Sequence, residues 1–255
     1  RAEPTLAAPA IALAARSLGA RILTNTAVRT IDTQAGQVNG VVTEHGRIQC
    51  NTVIVAAGAW TSLFLRNLGI RLPQLKVRSS AFRTHPMPGG PEVSIYASGF
   101  AVRKRFDGGY TIALGGRTRI PYDITPDSFR YFHDFLSLAW MSRKSLRLRL
   151  SDRFMTEQRY ASRWDDQNTT MFEEERILNP TPVVKVLQQA QRNIATAIPS
   201  FENLSVAERW AGMIDVTPDA IPVISATPAL PGLVLATGFS GHGFGIGPAA
   251  GQLAA

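Results

Sequence analysis

The chain has 255 residues, of which 45% are hydrophobic and 18% charged, as in an ordinary globular protein with one large or two small domains. No apolar run approaches the roughly 20 residues that a membrane-spanning helix needs. The single cysteine, Cys50, excludes an internal disulfide framework and a cysteine-based metal site. It fits a reducing compartment, so we expect a cytoplasmic protein.

The net charge of +8 raises the question of nucleic-acid binding. The basic residues are spread along the chain, and no RRM, KH or helix-turn-helix pattern is present. The densest patch, within residues 143–153, reads as a solvated face. An anionic cofactor or a carboxylate substrate would also favour positive charge, so we expect no nucleic-acid partner. The alternative, a basic nucleic-acid binder, would show salt-dependent retention on DNA.

The first two predicted elements are a helix and a strand. Small apolar residues over 5–18 predict a helix that ends at Gly19, which has the residue type of a C-cap. Residues 20–32 are enriched in Thr, Val and Ile and predict a strand.

A β-meander is predicted next, over residues 34–58. Turn residues ending at Gly36 and Gly46 separate stretches whose apolar positions alternate. A short helix over residues 60–68 follows and is closed by Gly69.

An antiparallel sheet is predicted after Pro73. The sequence there has extended segments over residues 76–84, 94–106 and 109–118. Asp107 and the two glycines that follow it are a strong hairpin signal between the last two segments.

Helical spacing of apolar residues predicts a covering helix over 126–140 and another over 182–197, which Pro199 ends. Residues 141–180 give the weakest pattern in the chain.

The C-terminal fifth of the chain carries a glycine-rich turn. An apolar strand ends near Gly238, and further glycines lead into a helix of small residues. Glycine allows a positive φ and lets the backbone lie close to a flat or charged ligand. A turn between a strand and a helix N-terminus also presents free N–H groups, which suits a cofactor better than a core.

Four segments in order carry a family resemblance: the helix and strand before residue 28, AAGAW at 56–60, TPDAIPVI at 217–224 and GFSGHGF at 238–244. Together they resemble the FAD-dependent family of D-amino acid, glycine and sarcosine oxidases. The resemblance implies an α/β fold with two units. One is an incomplete Rossmann-like FAD-binding domain with a β-meander, over 1–74 and 206–255, and the other is an antiparallel-sheet substrate domain over 75–205.

The resemblance also implies which residues contact FAD. It places Val28 near the adenine end and the glycine loop around the flavin, although Val28 and Trp60 also fit a plain core role. The implied contacts are Val28, Ala57, Gly58, Trp60, Gly212, Gly238, Phe239, Ser240, Gly241, His242, Gly243, Phe244 and Gly245. Some relatives hold the flavin covalently through a cysteine where this chain has Gly212, so we expect non-covalent FAD.

The implied chemistry is oxidation of the C–N bond of a small-molecule substrate, an amino acid or an N-substituted amino acid, by hydride transfer to flavin N5. A bidentate arginine suits the substrate carboxylate. The candidates are Arg103, Arg105, Arg117 and Arg119. Arg117 is the first choice and a candidate catalytic residue, because it matches a substrate-pocket histidine of the sarcosine-oxidase branch.

His242 is the second candidate catalytic residue. Its imidazole could tune the flavin charge or take a proton, or it could donate one hydrogen bond to the backbone. Asp219, in the T-P-D turn, either contacts the flavin or caps its own backbone.

Three positions depart from the better-known branches of the family. The oxygen-activating lysine of the sarcosine-oxidase branch matches Ala113, and a second lysine of that branch matches Gly245. The carboxylate-binding arginine of glycine oxidases matches Ile214. Neither sarcosine oxidase nor glycine oxidase activity is well supported by these positions. A dehydrogenase that passes electrons to an acceptor other than oxygen fits the sequence as well as an oxidase does.

The G-x-G-x-x-G turn that opens the family and holds the FAD pyrophosphate is not found after a strand at the start of this chain. A similar match at Gly245, Gly247 and Ala250 stands in the wrong place. We therefore expect a fragment of the fold. The alternative to an active enzyme is a non-catalytic chain, or a subunit whose FAD site a partner or second copy completes. The scattered histidines and carboxylates predict no metal site.

Overall fold

The computed structural model describes residues 2–116 and 120–255. The described strands are β1 Val28–Gln34, β2 Gln37–Thr43, β3 Gly46–Gln49, β4 Val53–Val55, β5 Leu75–Thr84, β6 Ile95–Ala97, β7 Phe100–Lys104, β8 Tyr110–Ala113, β9 Ile120–Asp123, β10 Leu146–Arg149, β11 Val206–Val216, β12 Val223–Ala226 and β13 Leu233–Thr237. The described helices are α1 Pro4–Ser17, α2 Thr61–Asn67, α3 Pro126–Arg130, α4 Leu136–Ser142, α5 Asp152–Gln158, α6 Met171–Glu174, α7 Val184–Ala197 and α8 Gly243–Ala254. This mixture of helices and open sheets confirms the α/β fold class. The predictions for Arg117 and Arg119 lie outside the described residues.

The N-terminal prediction is half correct. Helix α1 forms and is followed by Gly19 at φ +97°, as predicted. The strand predicted over 20–32 is wrong in its first part, because β1 begins only at Val28. Asn25 has φ +50°, which an extended strand does not allow, so a bend precedes β1.

The predicted meander is confirmed, because β1, β2 and β3 form an antiparallel three-stranded sheet in that order. Its inner face carries Ile31 and Val38, which are buried in one core with Leu65 and Leu233. Leu233 belongs to a second small sheet, in which β13 pairs parallel to β4 and antiparallel to β12. The meander therefore packs on the element that positions the glycine-rich turn.

The predicted antiparallel sheet is also confirmed, with strand order β11-β5-β8-β7-β6. The hairpin at Asp107 joins β7 to β8, and Lys104 pairs with Tyr110 across it. Helix α7 covers one face of this sheet, where Ile194 and Phe201 are buried with Tyr110 and Phe82. The helix predicted over 182–197 is thus confirmed.

Strand β11 belongs to this antiparallel sheet rather than to the small sheet of β4, β12 and β13. It pairs antiparallel with β5 from Val206 opposite Thr84 to Val216 opposite Leu75. Its C-terminal end reaches the glycine-rich turn, so β11 joins the antiparallel sheet to the rest of the chain. The division into two domains at residues 74 and 206 stays a prediction.

The single covering helix predicted over 126–140 is wrong, because the structure has two short helices, α3 and α4. Tyr131 and Phe135 are buried together against Leu75, and the Tyr131 hydroxyl lies 2.9 Å from Ser62 Oγ. These contacts are made in the turn between the helices, where Tyr131 has the non-helical φ of −109°. Tertiary packing therefore overrides the local helical period.

The segment over 141–180 folds around buried ion pairs. Strand β10 runs parallel to β9, and α5 places Arg153 2.8 Å from Glu157. Glu157 also accepts a hydrogen bond of 2.9 Å from Lys76 of β5. These three side chains are almost fully buried, so the segment is fixed to the sheet by paired charges rather than by a regular apolar pattern.

Candidate functional site

A glycine-lined cleft of about 370 Å³ opens where β4, β13 and β11 end. Because β4 and β13 are parallel, their carboxyl ends meet at one edge, which is where open α/β sheets bind ligands. The lining residues are Ala56, Gly58, Met213, Ile214, Asp215, Ala236, Phe239, Gly241, Gly243 and Phe244. Five of the predicted cofactor residues are among them.

The glycines of this region adopt the conformations that the sequence predicted. Gly58, Gly238 and Gly241 have φ values of +52°, +75° and +88°. A Cβ atom at Gly238 would lie 2.5 Å from Thr217 Cγ2, whereas a Cβ at Gly58 would meet no atom within 4 Å. Gly238 is therefore required by packing and backbone conformation, and Gly58 leaves open space beside the cleft.

Asp215 holds the glycine-rich turn. Its Oδ2 accepts a hydrogen bond of 2.7 Å from the N–H of Gly238, and its backbone carbonyl accepts one of 3.0 Å from the N–H of Ser240. Two successive parts of the turn are thus tied to β11. The turn is fixed before any ligand binds, which lowers the entropic cost of binding.

A buried amide, Gln74, connects the two sides of the cleft. Its Nε2 donates to the Gly58 carbonyl at 3.2 Å and lies 3.0 Å from Thr237 Oγ1, while its Oε1 accepts from the Ser62 N–H at 3.0 Å. Sequence reasoning missed Gln74 and Asp215, because single polar residues beside Pro73 and within a strand carry no spacing signal.

The N-terminus of α8 also faces this region, since Gly243 begins the helix and lines the cleft. The N–H groups of the first turn of a helix have no partners within the helix and favour a negatively charged or electron-rich group. His242 stands at the N-cap position, exposed, and its side chain makes no capping hydrogen bond. Its backbone N–H donates to the Phe239 carbonyl at 2.9 Å.

Several predicted cofactor residues lie outside the described lining of this cleft. Val28 packs against the meander core, and Gly212 stands on β11 opposite Ser79. Trp60 lies edge-on to Phe172, with 5.3 Å between ring centroids. Five further predicted cofactor residues also lie outside the described lining of the cleft: Ala57, Gly238, Ser240, His242 and Gly245. Their cofactor contacts stay predictions.

A smaller inner cavity of about 100 Å³ adjoins the cleft through the shared residue Ile214. It lies between β5, the end of β8 and the start of α7. Its lining residues are Val77, Arg78, Ser79, Ser80, Leu114, Pro121, Val183, Val186 and Ile214. The lining is mostly apolar with few polar groups, as expected for a small-molecule site.

An outer cleft of about 1840 Å³ continues from the inner cavity, with which it shares Arg78, Leu114, Pro121, Val183 and Val186. Its walls are β10 and the first half of α7. The cationic side chains on these walls are Arg147, Arg149, Lys185 and Arg192. A carboxylate lines it only at Asp152 within the described ranges, so this cleft attracts anions.

Arg78 is the arginine that the structure brings to the inner cavity. Its Nε donates to Asp123 Oδ2 at 2.8 Å, its Nη2 binds the same oxygen, and its Nη1 donates to the Thr181 carbonyl at 3.0 Å. Arg149 binds the other oxygen of Asp123 at 2.6 Å. Arg78 is thus rigidly oriented, and sequence reasoning missed it because it occupies an ordinary alternating position of β5.

Arg103 and Arg105 lie elsewhere, around the buried carboxylate of Glu3. Arg103 forms an ion pair of 3.0 Å with Glu3, and Arg105 lies 3.7 Å from Glu3 and 3.1 Å from Asp107. Burial by itself raises the pKa of Glu3, but hydrogen bonds from Arg103 and from the Phe106 N–H outweigh it and hold the pKa below the ordinary 4.5. Both arginines attach the start of α1 to the sheet. Their role in substrate binding stays a prediction.

Asp219 makes the local contact that its turn favours, because its Oδ1 accepts a hydrogen bond of 3.0 Å from the Ile221 N–H. Across residues 2–116 and 120–255, no group of three or more His, Cys, Asp and Glu side chains is arranged to hold a metal ion. Within the same ranges, no helix combines the length and apolar character that crossing a bilayer requires.

A parallel strand pair ending at a glycine-lined cleft, beside an antiparallel sheet with its own cavity, is the arrangement of an α/β cofactor-binding enzyme. Residues 1–255 match the family model described as DAO, FAD dependent oxidoreductase, and the chain belongs to this family. FAD is the cofactor of the family.

Three known proteins illustrate the similarity. The structure of L-amino acid deaminase from Proteus myxofaciens, in complex with anthranilate, superposes with a TM-score of 0.90 and 32% identity over 96% of this chain and 54% of that one. D-amino acid dehydrogenase of Rhizobium johnstonii is 41% identical over 27% of this chain and 17% of its own length. Glycine oxidase of Bacillus subtilis is 23% identical over 98% of this chain and 52% of its own. The chain thus spans about half the length of the relatives that it matches throughout.

Proposed function

We propose that this chain forms the site of an FAD-dependent oxidoreductase that oxidises the C–N bond of an amino acid or an N-substituted amino acid. The observation that carries the proposal is the shared wall at Ile214. A flavin in the glycine-lined cleft would lie beside a substrate in the inner cavity. When bound, FAD would supply a hydride acceptor at N5. Loss of a hydride from the amine-bearing carbon and of a proton from the nitrogen would leave an imine, which water would hydrolyse.

The residues of the cleft fit the flavin end of FAD. Gly58, Gly241 and Gly243 present backbone without side chains, and the first turn of α8 directs N–H groups toward the cleft. Cys50 lies at the end of β3, where its N–H donates to the Asn39 carbonyl, and it does not line the cleft. This supports non-covalent binding.

The inner cavity would hold and orient the substrate. Its apolar walls, including Val183 and Val186, would exclude water from the reacting carbon. Arg78, Ser79 and Ser80 are the polar residues of its lining that could fix the orientation of the substrate. Arg117 remains a candidate for the substrate carboxylate, because the family resemblance matches it to a substrate-pocket histidine.

The outer cleft would collect the substrate. Arg147, Lys185 and Arg192 give it a positive potential, which raises the local concentration of a carboxylate-bearing molecule.

The names of the relatives support an amino acid as the substrate class. D-amino acid dehydrogenase, glycine oxidase and L-amino acid deaminase all act on amino acids by name, and the names include both configurations. Ala113, at the position of the oxygen-activating lysine, and Gly245, at the position of a second lysine, support a dehydrogenase as well as an oxidase.

A second candidate function is a non-catalytic chain, or a subunit whose FAD site a partner completes. One observation favours it. In the small sheet of β12, β13 and β4, β4 pairs only with β13 among the described strands, and Ile54 of β4 is 46% exposed. An unpaired apolar edge of this kind invites another strand.

The test is the visible spectrum of the purified chain before and after addition of FAD and removal of the excess. Bands near about 375 and 450 nm, the signature of oxidised flavin, would support cofactor binding. Anaerobic addition of D- and L-amino acids, proline and N-alkyl glycines should then bleach the 450 nm band for the true substrate. A colourless protein that takes up no FAD would favour the second candidate. A coloured protein that no amine bleaches would contradict the substrate class.

A further inference from the structure

A further cavity of about 350 Å³ lies at the C-terminal end of α2, between α3 and residues 162–163. Four arginines line it: Arg66, Arg71, Arg130 and Arg163. It shares no described lining residue with the glycine-lined cleft, the inner cavity or the outer cleft. The site proposed for FAD and substrate therefore does not account for it.

The cavity carries an excess of positive charge. Its described lining includes no carboxylate, and the four guanidinium groups are compensated by two acidic residues behind them. Asp127 is shared by Arg66 at 3.0 Å and Arg130 at 3.3 Å, and Asp134 pairs with Arg71 at 2.6 Å. Four cations against two anions leave about two positive charges to attract a ligand.

Each guanidinium keeps free donors. Arg66 and Arg71 use only Nη2 in their ion pairs, and Arg130 uses only Nε. Arg163 donates one Nη1 hydrogen bond, to the exposed carbonyl of Asn67 at 3.2 Å. Within the described part of the chain, an Nη group therefore remains on every one of the four, and such groups recognise oxyanions in fork geometry.

The guanidinium of Arg71 is also held in place. The guanidinium of Arg71 lies over the ring of Tyr131, 5.4 Å from its centroid. Tyr131 is itself buried, with its hydroxyl 2.9 Å from Ser62 Oγ. A ligand would meet preoriented donors at Arg71, which lowers the side-chain entropy lost on binding there.

We propose that this cavity binds a phosphate group, either free phosphate or the end of a small phosphate ester. A phosphate carries about −1.5 to −2 charge at neutral pH, which matches the excess of about two positive charges. Its oxygens can bind several guanidinium groups at once, whereas the two oxygens of a carboxylate occupy one fork. Ile70 and Tyr131 in the lining leave an apolar wall for the organic part of an ester.

The test is isothermal titration of the whole chain with inorganic phosphate, at an ionic strength held constant with sodium chloride. Arg163→Gln is the decisive variant, because Arg163 has no carboxylate partner among the described residues and its loss orphans no buried acid. Arg143→Gln is the matched control, since Arg143 is likewise exposed and donates to one backbone carbonyl, that of Trp140 at 2.8 Å.

We expect saturable binding to the wild type and to Arg143→Gln, and an affinity lower by about tenfold or more in Arg163→Gln, because a charge-assisted hydrogen bond is lost. Equal affinity in Arg163→Gln would overturn the proposal, since phosphate would then bind elsewhere, for example at the N-terminus of α8. The proposal would also be overturned if titration of the wild type with phosphate gave the same heats as titration with sodium chloride alone. A titration with glycerol 3-phosphate in place of phosphate distinguishes free phosphate from a phosphate ester as the ligand. Tighter binding of the ester would support an organic ligand.

Discussion

The carboxylate of Asp215 accepts a 2.7 Å hydrogen bond from the N–H of Gly238, although the two residues are 23 positions apart. Its neighbour in β11, Ile214, lines both the glycine-lined cleft and the inner cavity. One short stretch of strand therefore fixes the conformation of the glycine-rich turn and forms the wall between the two sites proposed for cofactor and substrate.

Replacing Asp215 by alanine should weaken both the fold and FAD binding. The buried N–H of Gly238 would lose its acceptor, at a cost of about 1–3 kcal/mol. Urea denaturation and FAD titration followed by fluorescence would measure the two effects. Asp219→Ala is the control, because among the described residues the Asp219 side chain accepts only the exposed Ile221 N–H. This replacement should change stability by less than about 1 kcal/mol. Equal effects of the two replacements would argue against the role of Asp215.

Gly238→Ala should lower the stability of the fold, whereas Gly245→Ala should raise it. At Gly238 the backbone has φ +75° and a Cβ would lie 2.5 Å from Thr217 Cγ2, so alanine should destabilise the chain by about 1–3 kcal/mol and weaken FAD binding. Gly245 lies within α8 with no atom within 4 Å of a Cβ position, so alanine should stabilise the helix by up to about 1 kcal/mol. Thermal unfolding of both variants checks the signs. Loss of FAD binding in Gly245→Ala with an intact fold would instead support its predicted cofactor contact.

Filling the inner cavity should separate substrate binding from cofactor binding. Val186 lines the inner cavity and the outer cleft but not the glycine-lined cleft, so Val186→Phe should raise KM for the substrate and leave FAD affinity unchanged. Val184→Phe is the matched control, because Val184 is 54% exposed and lines only the outer cleft. If both variants keep the wild-type KM, the substrate does not occupy the inner cavity.

The carboxyl of Glu44 should titrate abnormally. Hydrogen bonds from Arg176, and then from the Ala27 N–H, lower its pKa from 4.5 to about 2. Because the folded-state pKa is depressed, this contact stabilises the fold above about pH 4.5, and its contribution is lost as the pH falls toward 2. NMR titration of Glu44 should give a pKa near 2 in the wild type and a value closer to 4.5 in Arg176→Ala. An unchanged pKa in that variant would show that Arg176 is not the cause.

The parts of the fold that the sequence could predict are those decided by local signals. The meander and the Asp107 hairpin follow from turn residues between alternating strands, and the positive φ of Gly238 follows from a glycine between a strand and a helix. The break at Tyr131 is decided by packing against Leu75, which lies more than fifty residues away, so no local period reveals it.

The site was less predictable than the fold for the same reason. Arg78 reaches the inner cavity because Asp123 and Thr181, distant in sequence, orient its guanidinium. Gln74 and Asp215 act through hydrogen bonds to backbone groups of other elements. Such long-range partners leave no spacing pattern in the sequence. The glycines of the cleft can be predicted from sequence because the backbone conformation at each of them itself favours glycine.

The unbroken pairing of β11 with β5, from Glu208 opposite Arg83 to Val216 opposite Leu75, has a mechanical consequence. Hinge bending between the antiparallel sheet and the glycine-lined cleft would have to rupture ladder hydrogen bonds along this strand, so it is a costly motion. We therefore expect small molecules to exchange through the outer cleft, by local opening of β10 and α7. Mutations that destabilise β10 or the first turns of α7 should speed the exchange of small molecules without releasing a bound flavin.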